Sequence, residues 1–283
     1  MRVATVDGLV TLFYDGSKEL FDRELNDEWW KEFRDQGRHD DDNDEIDNWE
    51  EWNLSVQCKK YFRERLSWQQ IIIIEGVTEI PEWTFAICWN INRVIFANTV
   101  LRIKGNAFLR CRSLVYVKLS INLEYIGSTA FYGCNLYSIF VPPTCREICA
   151  YAFYLNKSLS ILNVPQHVEL GGWIIQYTLL AKTSHLDVTT DGWYGQELDD
   201  DMNTWIKNMN HDETFSLHRE FASLQPSKQV VYNIIQQKGL KAFKVKNSAG
   251  IAPSQYLYKN PYTELTEKEI IHDYLMKMMG ECG

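Results

Sequence analysis

The sequence contains no apolar run approaching the roughly 20 residues needed to span a bilayer, and the quartet Ile71 to Ile74 is only strand-sized. No membrane partner is therefore expected. The stretch Met1-Arg2-Val3-Ala4-Thr5-Val6-Asp7-Gly8 lacks the apolar core and small-residue cleavage site of a secretory signal, which leads us to expect a cytoplasmic chain. The triplets Asn53-Leu54-Ser55 and Asn156-Lys157-Ser158 would then carry no sugar. Seven cysteines, an odd number without a Cys-x-x-Cys pair, point to free thiols rather than disulfides. Also missing are Gly-x-x-x-x-Gly-Lys, Gly-x-Gly-x-x-Gly, Gly-x-Ser-x-Gly and His-Glu-x-x-His, which weakens any case for nucleotide, hydrolase or zinc chemistry.

What is present is enough apolar and aromatic material for a core, at 45% and 13% of 283 residues. The formal charge of −9 is uneven: residues 15 to 52 hold 16 acidic and 5 basic side chains, a local −11 that leaves about +2 for the rest. An acidic amino-terminal third disfavours nucleic acid and anionic lipid there.

A period near 23 runs through the middle of the chain. Phe85, Phe108, Phe131 and Phe153 lie 23, 23 and 22 residues apart, preceded by Thr84, Ala107, Ala130 and Ala152, and Ile174-Ile175 holds the next equivalent place. Cys88, Cys111 and Cys134 each follow a phenylalanine by three. Trp68-x-x-Ile71-x-Ile73 recurs as Ile91-x-x-Val94-x-Phe96, Leu114-x-x-Val117-x-Leu119, Leu136-x-x-Ile139-x-Val141 and Leu159-x-x-Leu162-x-Val164, each a short strand with alternate residues inward. Val77, Val100, Leu123, Cys145 and Val168, with Ile80, Ile103, Ile126 and Ile148, give a second inward stretch. One such unit cannot bury its apolar face alone, so the copies must stack into an α/β-class solenoid of about four to five turns over residues 68–176.

The string Leu-x-x-Val-x-Leu followed by Leu-x-x-Ile-Gly-x-x-Ala-Phe-x-x-Cys at 114–134 resembles the BspA-type leucine-rich repeat, a likeness covering about 110 residues. The resemblance implies a horseshoe or rod used for protein contact, with no catalytic residue to carry over. Lys104 and Cys149 stand where that family often has glycine, and Asn156 where it has cysteine.

Before the repeats, residues 1–67 read as a capping module. Asp7-Gly8 signals a hairpin between Arg2–Val6 and Leu9–Tyr14, and Ser17 and Asn26 suit the caps of acidic helices. Residues 177–213 read as a linker with one helix around Trp205. Within 214–283, the run from Phe215-Ser216-Leu217-His218 to Gly250-Ile251-Ala252-Pro253 is similar to an ankyrin repeat, which implies a helical tail in which His218 ties a turn. Thr266-x-x-Glu269 and the pair Leu265/Ile270 suggest a capping box and staple for a last helix ending at Gly280.

No residue stands out as catalytic, and no cofactor or metal ligand set is expected. Cys88, Cys111 and Cys134 read as an inward ladder of small side chains, and Cys145 and Cys149 as structural. Asp40, Asp42, Asp44 and Glu51 fit positions of a calcium loop, but Glu45 replaces its glycine and Asp47 its apolar residue. The candidate partner surface is the outward side of the strands: Arg93, Ile95, Tyr116, Lys118, Ser138, Phe140, Ile161 and Asn163, unless flanking helices cover it. The reading is a protein-binding scaffold. The alternatives are an enzyme using His185, Asp187, Asp191 or His211, and a nucleic-acid binder using Arg102, Lys104, Arg110, Arg112 and Lys118.

Overall fold

The computed structural model describes residues 2–16, 65–184, 196–209 and 215–280. The acidic capping helices, the calcium-loop count, and His185, Asp187, Asp191 and His211 lie outside them.

Asp7 and Gly8 take φ of +50° and +78°, the twist that a two-residue hairpin turn needs, and join β1 (Arg2–Val6) to β2 (Leu9–Tyr14). The hairpin is more than a separate cap. β2 pairs parallel with β3 (Gln70–Ile73), which pairs with β5 (Arg93–Ile95) and then β7 (Tyr116–Lys118), giving the order β1-β2-β3-β5-β7. β9 (Ser138–Phe140) and β11 (Ile161–Asn163) continue the row as a separate parallel pair. A second parallel row, in the order β12-β10-β8-β6-β4, is made of two-residue strands: β4 (Glu79–Ile80), β6 (Arg102–Ile103), β8 (Tyr125–Ile126), β10 (Glu147–Ile148) and β12 (Glu169–Leu170). The repeating unit is thus confirmed as a solenoid of about four complete turns.

A third edge closes each turn around the phenylalanines. Phe85, Phe108, Phe131 and Phe153 are fully buried and stack in one column, with centroids 5.1, 5.2 and 5.8 Å apart and ring planes within 24°. Their amides donate to Ala107, Ala130, Ala152 and Ile174 carbonyls of the next turn at 2.8 to 3.0 Å. Along the same edge Cys111 Sγ donates to the Phe85 carbonyl and Cys134 Sγ to that of Phe108, both at 3.1 Å. Asn156 takes the next place and donates to Phe131 at 2.7 Å, so the substituted residue keeps the tie in a stronger form. It adds a bond to the Phe153 carbonyl and accepts from the Leu136 amide.

This edge bends sharply. Trp83, Asn106, Thr129, Tyr151 and Trp173, and again Ile87, Arg110, Gly133, Leu155 and Tyr177, have φ between 55° and 64°. Nine of these ten are not glycine, although a left-handed residue costs on the order of 1–2 kcal/mol. Ladder bonds on both sides hold the strain. Gly127 answers a different need, since a Cβ there would run into the Lys104–Gly105 backbone of the preceding turn.

Both open ends are closed by side chains. At the first turn, among the described residues, no earlier rung donates to the phenylalanine edge; buried Arg65 donates to the Thr84 and Ala86 carbonyls at 2.7 and 3.2 Å. At the last turn Asn203, on helix α1 (Gln196–Asn208), donates to the Leu170 and Gly171 carbonyls at 3.3 and 3.1 Å. Met202, Ile206 and Met209 enter the solenoid core, so the helix expected around Trp205 is present and packs against the end of the solenoid.

The tail comprises α2 (Ser216–Ala222), α3 (Lys228–Lys238), α4 (Pro253–Lys259) and α5 (Leu265–Gly280). The expected capping box shifts: α5 already includes Leu265, so Thr266 lies inside the helix. Leu265 and Ile270 are 71% and 54% exposed and make no staple. The reason is that the residue before the helix, Glu264, already supplies the carbonyl that accepts from Lys268.

Candidate interaction surface

Alternation along the strand row sends Ile71, Val94, Val117, Ile139 and Leu162 into the core. Register then places Arg93, Tyr116, Ser138 and Ile161 in one outward row, and Ile95, Lys118, Phe140 and Asn163 in the other. The outward face is not uniform. Arg93 is exposed and Ile95, Tyr116 and Lys118 are half-buried, whereas Phe140 and Ile161 are 2% and 0% exposed. Of the two readings left open for this face, cover by flanking helices holds at Phe140 and Ile161, which are buried beneath the tail and so are removed from the candidate partner surface.

The cover is a second core. Phe140 and Ile161 pack with Leu217, Phe221, Val231, Ile235, Tyr256 and Leu257 of the tail helices. The Tyr256 ring meets Phe140 edge-on at 6.1 Å, and the Tyr262 hydroxyl donates to the Phe140 carbonyl at 3.3 Å. Lys259 sits 4.3 Å above the Tyr137 ring. Inside the tail, Asn260 Nδ2 donates to the Phe221 and Ser223 carbonyls at 2.9 and 2.6 Å, tying the end of α4 to the end of α2. Asn247 Oδ1 accepts from the amides of Ala249 and Ile251, shaping the turn before α4. His218 Nε2 meets the Ile251 carbonyl at 2.8 Å, and a carbonyl only accepts, so this nitrogen carries the proton. Burial, ahead of the opposing hydrogen bond, lowers the His218 pKa from its usual 6.5.

Beside the tail, the outward side chains of β5 and β7 are less covered. Arg93 lies 4.7 Å over the Tyr116 ring, which holds the guanidinium flat along the face. Burial raises the Tyr116 pKa against the opposing pull of Arg93, and burial followed by neighbouring Tyr116 raises that of Tyr262. Both phenols are neutral near pH 7 and able to donate hydrogen bonds.

The other named groups divide among different faces. Arg102 and Lys104 reach Glu79 at 3.7 and 3.5 Å on the second row, Arg110 and Arg112 lie on the phenylalanine edge, and Lys118 is on the strand face. The five cations proposed for nucleic acid are thus not one surface. Cys88, Cys111, Cys134 and Cys145 are buried, and burial pushes Cys88 and Cys145 up to about 12, which keeps them as thiols. Half-buried Cys149 lies 3.1 Å from the Tyr125 hydroxyl, and burial raises its pKa too. Among the described residues no group of His, Cys, Asp and Glu is placed to hold a metal, and no helix is long and apolar enough to cross a membrane.

Sequence reasoning missed the two end ties of Arg65 and Asn203, and the bonding of Asn156. A signal for the covered half existed: along one outward row the side chains change from Arg93, Tyr116 and Ser138 to Ile161, a change from polar to apolar that asks for a lid.

A stacked, parallel, leucine-and-isoleucine-rich coil of this kind is similar to the solenoids that leucine-rich repeats build. Residues 54–180, slightly under half the chain, match the family described as the BspA type leucine rich repeat region, in six copies. No curated protein matches. Among solved structures, the chain is similar to a leucine-rich repeat protein from Bacteroides ovatus at 21% identity, with 40% of this chain and 43% of that one covered and a TM-score of 0.29. The chain thus spans less than half the length of that protein.

Proposed function

We propose that the chain is a non-enzymatic, protein-binding scaffold whose partner seats on the uncovered half of the strand face, at Arg93, Ile95, Tyr116 and Lys118. The observation that carries this is the step in cover: the tail buries Phe140 and Ile161, whereas on the adjoining rungs Arg93 is exposed and Ile95, Tyr116 and Lys118 are only half-buried. That leaves a rigid strip of apolar, aromatic and cationic side chains walled on one side by the tail, a composition common at interface hot spots. The tail itself reads as a degenerate ankyrin-type unit. Two successive short helices, α2 and α3, support this, as does the tie between His218 and Ile251, which are 33 residues apart, the period of that repeat. Such a tail would supply a second contact surface.

The test is affinity purification from the native cell with the double variant Arg93→Ala/Tyr116→Ala. We expect loss of partners that a Tyr125→Ala control, on the second strand row, still captures. Equal partner sets, with both variants folded by circular dichroism, would sink the proposal.

A further inference from the structure

We infer that the partner seated on the strand face is an acidic peptide in extended conformation, alternate carboxylates of which pair with Arg93 and Lys118. The inference rests on the strip being the interface, as proposed above, and names the chemistry that the strip selects. Register puts four outward positions in a square: Arg93 and Ile95 on β5, with Tyr116 and Lys118 beside them on β7. Neighbouring rungs are about 4.8 Å apart and outward residues on one strand about 6.6 Å, so Arg93 and Lys118 start about 8 Å apart on a diagonal. Ile95 and Tyr116 hold the other diagonal. An extended peptide presents residues i and i+2 on one side at about the same 6.6 Å, within reach of two long cationic side chains.

The cations lack countercharges. Among the described residues no carboxylate lies within ion-pair distance of Arg93, Lys118 or Lys259. The Tyr116 ring orients the Arg93 guanidinium but supplies no negative charge. Strands β1, β2, β3, β5, β7, β9 and β11 contain Arg2, Arg93 and Lys118 and no acid. The acids just beyond their ends, Asp7, Asp15 and Glu75, all belong to the hairpin or the first turn, one rung from Arg93 and two from Lys118. The tail adds a third cation at the border: Lys259 stands over Tyr137, whose amide donates to the Val115 carbonyl next to Tyr116. Lys268, bonded to the Tyr258 and Asn260 carbonyls, has its pKa lowered first by burial and then by Lys259, so the tail side of the strip is positive too. Val115, 44% exposed, and Ile95 supply apolar contact between the charges. Three cations set among apolar side chains suit a peptide. A nucleic acid engages more, roughly 6–10 phosphates in a tight complex, and Arg102, Lys104, Arg110 and Arg112 lie on other faces.

The experiment is an NMR titration of the isotope-labelled full chain at low ionic strength with the peptide Ser-Glu-Leu-Glu-Ser, its glutamine and lysine counterparts, and a single-stranded oligonucleotide. The acidic peptide should shift the Arg93, Val115, Tyr116 and Lys118 amides, and the other two peptides should not. Arg93→Glu/Lys118→Glu should weaken the acidic peptide by about tenfold or more and make the lysine peptide bind, a gain that an unfolded chain would not show. Arg146→Glu/Lys157→Glu makes the same charge change on other faces and should leave the acidic peptide within about twofold of wild type. Equal weakening by the two double variants would show diffuse charge attraction and overturn the inference. So would equal shifts from the glutamine peptide, or tighter binding of the oligonucleotide at the same amides. If Arg93→Ala/Tyr116→Ala loses captured partners while the acidic peptide leaves these amides unshifted, the acidic chemistry is rejected and the interface stands.

Discussion

The solenoid and the helical tail build cores of similar dryness by opposite means. In the solenoid every contact has copies one turn away: four stacked phenylalanines, and three successive donors from Cys111, Cys134 and Asn156 onto the carbonyls behind them. In the tail each tie occurs once, through Asn247, His218 or Asn260, and the apolar floor at Phe140 and Ile161 is borrowed from the solenoid. Repetition makes the first self-supporting and nearest-neighbour in character. Dependence on a borrowed floor makes the second conditional on it. The solenoid should therefore be able to outlast the tail, while the tail should not outlast β9 and β11.

The largest effect should come from deleting one ring of the column. Phe131 is stacked on both sides, at 5.2 and 5.8 Å, so Phe131→Ala leaves a cavity with no route to collapse and should cost about 3–5 kcal/mol. Phe221→Ala, in the tail and equally buried, is the partner experiment. Amide hydrogen exchange should show Phe131→Ala lowering protection in both regions, and Phe221→Ala lowering it in the tail alone. Uniform loss in both variants would erase the distinction.

A smaller effect separates bonding from packing within the solenoid. Asn156→Ala leaves the Phe131 and Phe153 carbonyls and the Leu136 amide without their buried partner, at about 1–3 kcal/mol by urea denaturation. Asn156→Cys restores the residue type of the two preceding rungs and one bond, and should fall between alanine and wild type. A cysteine variant as stable as wild type would mean that the extra asparagine bonds contribute nothing.

The same contrast explains what could be read from residues alone. The strands, the phenylalanine column and the inward cysteines were legible because a period of 22 to 23 repeats the same signal four times. The bends at Trp83, Ile87, Thr129 and Tyr151 were not, since none of these residue types advertises a positive φ and only Gly133 does so in its row. Arg65 and Asn203 act at the ends, where by definition the pattern has no second copy. On the candidate face, alternation assigned all eight side chains to the outward side, yet alternation carries no information about a lid more than 110 residues further along the chain. Tyr256 and Tyr262 reach Phe140 across that distance, and nothing periodic announces them.

The mildest test acts on the tail through one titratable side chain. His218 is buried with a single ring nitrogen bonded, to Ile251, and its pKa in the folded chain lies below 6.5 because burial disfavours the imidazolium. Between that lowered value and 6.5 the unfolded chain binds the proton more readily than the folded one, so stability is fully present above pH 6.5 and declines as pH falls below it. Acidification should thus loosen the tail before the solenoid, visible as earlier exchange of the α2 and α4 amides at pH 5 than at pH 7.5 after correction for intrinsic rates. Carboxylates elsewhere also titrate on the way down, so the discriminating variant is His218→Gln, which can keep the donor to Ile251 but cannot take up a proton. Its tail should hold the same protection at both pH values. If wild type and variant loosen in parallel, the acid response belongs to another group, and the tail's dependence on its one-off ties loses its most direct support.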